Sequence, residues 1–203
     1  MYMFKYLTIF IIFFSNAAFS GNAPFGMDWG TSKEDLKNSG IIFTSNENEN
    51  RLEVLQSSSL NKNLSIADFY LLIVSEKYGL QKIVMISKDI SSDITGSKGK
   101  EKYSGIKNKL IKKYGNPSDH LETWGNSLWD KYDEFYQCLK YPGCGTWISF
   151  WKPEQTESGY VSLELKGLSR GKGYVSLGYE GPLFSKAKSD INSETESSDD
   201  EAL

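Results

Sequence analysis

The alternation of apolar and polar positions divides the chain into short strands and two helices. Tyr103, Ile106, Leu110 and Tyr114 recur at helical spacing and form one apolar stripe. Gly115 stands where a helix closes in a left-handed conformation, and Pro117 forbids its resumption. A shorter helix is announced by Thr31-Ser32-Lys33-Glu34, which fits a capping box with Thr31 as the cap and Glu34 reaching back. Gly40 stops that helix, and Leu36 is its one inward apolar position, so Phe25, Met27 and Trp29 are expected to dock it. Residues 41–44 and 52–55 read as short strands. Residues 69–74 are apolar on both faces, the mark of a strand inside a sheet, and a turn over 76–79 returns residues 80–87 as its partner. Residues 89–98 read as a loop leading to the second helix.

Beyond Pro117 the chain is rich in aromatics, with Trp124, Trp129, Tyr132, Phe135 and Tyr136, and residues 130–139 read as a short helix. Residues 146–151 alternate, placing Trp147 and Trp151 on one face and Ile148 and Phe150 on the other. Gly-Tyr-Val-Ser-Leu occurs at 159–163 and again at 173–177, which predicts a hairpin around 167–171. Val161, Leu163, Leu165, Val175, Leu177 and Tyr179 then point inward. Helix then strands, twice over, favours an α+β fold: an antiparallel sheet with two main helices packed on one face, with two helix-then-strands halves as a variant.

The ends differ from the middle. Lys5, the apolar run 6–14 and Ala18-Phe19-Ser20 have the layout of a cleavable signal peptide over residues 1–20, and the run is shorter than the ~20 residues of a membrane span. The mature chain is thus expected to start near Gly21, to be periplasmic or secreted, and to hold no transmembrane segment. Residues 185–203 carry six acidic residues against two lysines and almost nothing apolar, so a disordered acidic tail is expected there. A single domain over 21–184 remains, with equal numbers of acidic and basic residues. Neither this balance nor the formal net charge of -3 points to nucleic acid.

Export gives meaning to the two cysteines. Cys138 and Cys144 close over Pro142-Gly143, and an oxidising compartment favours a disulfide between them over a metal or redox pair. His120 is the one histidine; Asp119, His120 and Glu122 read as a solvated loop, because no distant ligand completes a metal site. No Gly-x-Ser-x-Gly elbow is present, and Gly96-Ser97-Lys98-Gly99-Lys100 lacks the glycine spacing of a phosphate loop. Asp130, Asp133 and Glu134 are the carboxylates a hydrolase would have to use. No cofactor is implied.

Two surface features remain as a possible binding surface. Lys107, Lys112 and Lys113 belong to a basic helix face that also carries Lys98, Lys100, Lys102 and Lys109. Trp147, Trp151 and Tyr141 belong to the aromatic cluster around the cysteine loop, where exposed rings would stack on a sugar or a protein partner.

Phe25-Gly26-Met27-x-Trp29-Gly30-x-Ser32, with Lys113-Tyr114-Gly115-x-Pro117 much later, resembles a loose group of small exported bacterial proteins of unknown function. Gly30-x-Ser32-x-x-Asp35-Leu36 is also faintly similar to the small outer-membrane assembly lipoproteins, whose lipid-bearing cysteine this chain lacks. The resemblance implies a small α+β envelope protein. Together these readings favour an exported, non-catalytic binding protein whose partner is another envelope or secreted protein, or a glycan. The alternatives are an inhibitor or immunity protein using the Cys138–Cys144 loop, and a carboxylate-dependent hydrolase.

Overall fold

The computed structural model describes residues 21–46, 52–125, 128–156 and 158–202. The segment read as a signal peptide lies outside them. The centre of the molecule is one eight-stranded antiparallel sheet in the order β1-β2-β3-β4-β8-β7-β6-β5. Its strands are β1 (Thr44–Asn46), β2 (Leu52–Ser57), β3 (Ala67–Ser75), β4 (Gly79–Ser87), β5 (Asp119–Thr123), β6 (Thr146–Trp151), β7 (Val161–Ser169) and β8 (Lys172–Glu180). Four α-helices accompany them among the described residues: α1 (Lys33–Asn38), α2 (Ser97–Tyr114), α3 (Phe135–Lys140) and α4 (Phe184–Ala202). The mixed α/β class agrees with the sequence, but strands dominate, and a fourth helix, α4, joins the two main ones and the short one expected over 130–139.

Register explains the core. Side chains of directly paired residues share a face of the sheet. Leu55 pairs with Leu72, Ile83 with Tyr179, and Leu163 with Leu177. These residues are buried, as are Tyr70, Met85, Val161, Val175 and Trp151. The opposite face carries Ile73, Val84, Ile148 and Phe150, all of which stay partly exposed. Phe25 packs edge-on against Tyr70 and Tyr179 of the buried face, and Tyr103 of α2 reaches Ser149 of β6 at 2.7 Å. Tyr136 of α3 lies so close to β7 and β8 that a Cβ on Gly167 would stand 1.9 Å from its carbonyl oxygen. One on Gly173 would stand 2.2 Å from its ring.

Several elements move relative to the sequence reading. The N-cap of α1 is Ser32, whose hydroxyl accepts from the Asp35 amide, while Thr31 donates its hydroxyl to the Asp28 carbonyl. The strand expected over 41–44 begins only at Thr44, because Ile41 turns inward and Ile42 is 84% exposed. Residues 119–123, read as a loop, form β5; with Leu121 as its one apolar residue, an edge strand has no alternation to display. The hairpin turn lies at Arg170-Gly171, within the range expected. The acidic tail, expected to be disordered, continues as α4, whose first turns are anchored by buried Ala187 and by Asp190 accepting from Lys77 and Tyr78. Phe184 at its start meets Lys82, a residue of the less covered face.

Candidate functional site

The described residues of segment 124–145, between β5 and β6, carry Cys138, Cys144, Tyr141 and the carboxylates of 130–134 that the sequence singled out. They fold over the start of α2. That helix begins at Ser97, ahead of its apolar stripe, with no capping side chain on Gly96. The cap is supplied by Asp93, buried at 4% exposure, whose carboxylate accepts from the Gly99 amide at 3.0 Å and the Tyr136 hydroxyl at 2.8 Å. Burial works to raise the Asp93 carboxyl, but the Gly99, Tyr136 and Lys98 hydrogen bonds and the Lys98 charge outweigh it and hold it below the usual range. Burial and the Asp93 charge push the Tyr136 hydroxyl well up, so it stays a neutral donor. One carboxylate therefore ties α2 to α3.

Beside this link, the Lys100 ammonium sits among three rings, 4.2 Å from the centroid of Phe135, 5.0 Å from Trp147 and 5.6 Å from Trp124. The rings meet edge to face around Phe135. Burial lowers the Lys100 pKa, and the charge of Asp93 works against that shift. Trp147 is thus partly covered and spends its faces on Lys100, Phe135 and Tyr103. Trp151 is fully buried, with its indole N–H donating to the Gly115 carbonyl at 2.8 Å. Trp151 therefore offers no face for stacking, which corrects its place in the expected binding surface, whereas Trp147 stays partly exposed. The reason is the burial of the alternate face of β6 under α2.

Cys138 and Cys144 form a disulfide with Cα atoms 5.1 Å apart, joining the last turn of α3 to the start of β6. The Gly125 amide donates to Cys138 Sγ at 3.0 Å, so the bridge also fixes the chain leaving β5. Outside this brace stand Leu128, Tyr132 and Tyr141, with 48%, 76% and 51% of their surfaces exposed. Tyr141 keeps the exposed position that the sequence proposed; Leu128 and Tyr132 were not marked, since nothing in their spacing distinguishes a wet apolar residue from a core one.

The basic residues divide. Lys107 pairs with Glu122 of β5 and sits near the Tyr103 ring, whereas Lys112 and Lys113 stay exposed and Lys113 lies 4.8 Å over Tyr114. The candidate carboxylates do not converge: Asp133 pairs with Arg170, Glu134 accepts from the Lys131 amide, and Asp130 is exposed. Asp119, His120 and Glu122 lie along β5, and no group of three metal-ligating side chains occurs among the described residues. A cavity of about 360 Å³ lies elsewhere, between the turn after β3 and α4. The hydrogen bond to Asp190 in its wall pushes the Lys77 ammonium up to about 12. No described helix is long and apolar enough to cross a membrane.

Comparison with known proteins gives no match: no family model, curated protein or solved structure matches the chain.

Proposed function

We propose that this chain is an exported, non-catalytic binding protein that presents the disulfide-braced segment 124–145 to a protein partner. The observation that carries the reading is the contrast within that segment. Trp124 and Phe135 are engaged in packing, while Leu128, Tyr132 and Tyr141 stand out from the brace. Tyrosines held by a rigid support lose little conformational freedom on binding and provide both apolar area and a hydroxyl. The disulfide suits the oxidising compartment that the leading segment implies. A protein partner is favoured over a glycan because Trp151, a ring a sugar would stack on, is fully buried and Trp147 already packs against Lys100 and Phe135. The finer version, an inhibitor or immunity protein, uses the same segment against an enzyme cleft.

The test is capture of partners from envelope extract by the purified protein and by the variant Tyr132→Ala/Tyr141→Ala. Loss of a captured protein in the variant, with the far-ultraviolet spectrum unchanged, supports the reading. Undiminished capture by the variant, or turnover of an envelope substrate by the purified protein, overturns it.

A further inference from the structure

β5 closes one edge of the sheet, paired to β6 on one side and to no described strand on the other. Asp119, His120, Leu121 and Thr123 are exposed, Leu121 by 51%. An unpaired edge is a template for another strand, and charged residues commonly guard it. Here the charges are placed differently. When Asp119-His120-Leu121-Glu122-Thr123 is laid antiparallel against itself about Leu121, His120 falls opposite Glu122, Leu121 opposite Leu121, and Asp119 opposite Thr123. No like charges face each other, and two acid–base pairs form by symmetry. Every direct pair is neutral or attractive.

We propose that β5 pairs with β5 of a second copy of this chain, antiparallel across a two-fold axis at Leu121, to make one continuous sheet through two molecules. This surface is separate from segment 124–145, so the proposal does not rest on the function given above. An isologous pairing needs a self-complementary patch, and this strand supplies one. His120 and Glu122 lie on the α2 side, where Lys107 already holds Glu122 and so fixes its carboxylate beside the edge. Leu121 lies on the opposite side beside its partner Ile148, with Phe150 next to Asp119. Pairing therefore brings Leu121 and Ile148 of both copies into one apolar strip and covers the exposed leucine. Only one short strand contributes from each molecule, so the association is reversible and depends on concentration.

Sedimentation velocity across a concentration series tests this with the wild-type protein, His120→Glu and Glu122→His. Wild type is expected to shift toward dimer as concentration rises, with slower amide exchange over residues 119–123. His120→Glu sets carboxylate against carboxylate twice across the axis and should weaken self-association at least about tenfold. Mixing H120E with E122H restores both acid–base pairs in the heterodimer alone, so the mixture should associate more tightly than either variant by itself. Matching near-ultraviolet spectra establish that both variants are folded. The proposal is overturned by a wild type that stays monomeric at its highest soluble concentration, or by a dimer of unchanged strength in H120E. It is equally overturned by folded variants that fail to associate on mixing. A monomeric wild type that adds a foreign extended peptide along β5 would instead assign the edge to another chain.

Discussion

The two halves of the sheet have the same connectivity and different supports. β1 to β4 and β5 to β8 are each four-strand meanders joined edge to edge at β4 and β8. The first half relies on a six-residue helix and on large side chains ahead of it, with Trp29 and Leu36 buried and Phe25 against Tyr70. The second half has the eighteen-residue α2, the disulfide and the Asp93 link to α3. Cover is therefore local, whereas register is shared: Ile83 of one half pairs with Tyr179 of the other. A continuous sheet allows one half to be closed by a few aromatics where the other carries helices, provided that both fold together.

Removing the largest buried ring from each half is the strongest way to break this comparison. Trp29→Ala and Trp151→Ala each empty a fully packed site, and each should cost about 3–5 kcal/mol in urea denaturation. If the sheet unites the halves, calorimetry of either variant shows one transition. Two resolved transitions would show the halves unfolding separately. Next in size is the brace found only in the second half. Replacing Cys138 and Cys144 together by serine should cost about 2 kcal/mol, since a short loop is freed in the unfolded chain. The loss should disappear when wild type and variant are compared under reducing conditions.

Acid separates the halves more gently. Asp93 has its carboxyl held below the unfolded range, so its contribution is complete at neutral pH and is lost as pH falls below about 4. Asp93→Asn should therefore cost about 1–2 kcal/mol at neutral pH and flatten the acid limb of the stability profile. Glu53 of β2 is lowered too: burial raises it, and the hydrogen bonds from Lys33 and Ser45 more than offset this. Its pair with Lys33 is more exposed, so Glu53→Gln should change the same profile less. The smallest effect is expected at the N-cap of α1, where Ser32→Ala should cost about 1 kcal/mol by urea denaturation.

Much of the sheet was legible because burial leaves a period in the sequence. β3, β4, β7 and β8 pair across buried faces and carry unbroken or alternating apolar positions, and all six inward residues expected on the β7–β8 hairpin are buried. Elements that bury little escaped. β5 has one apolar residue, and α4 is polar after its first turns, so neither offers a hydrophobic pattern to read. The start of α2 was placed to within two residues, but its cap was not foreseen: that comes from Asp93, several residues upstream, which also accepts from Tyr136. At the candidate site the aromatic composition was legible, and the exposure of each ring was not. An aromatic cluster announces itself by its residues, but which ring faces water depends on Lys100 and on the neighbouring helices.

Lys140 lies exposed between Cys138 and Cys144, just where the chain turns from α3 toward β6. A protease that cleaves after lysine there nicks the backbone without parting the molecule. The sulfur bridge spans the cut, and strands from both fragments remain hydrogen-bonded in the same sheet. Once denatured, such a nicked protein runs as one species until a reductant releases it as two.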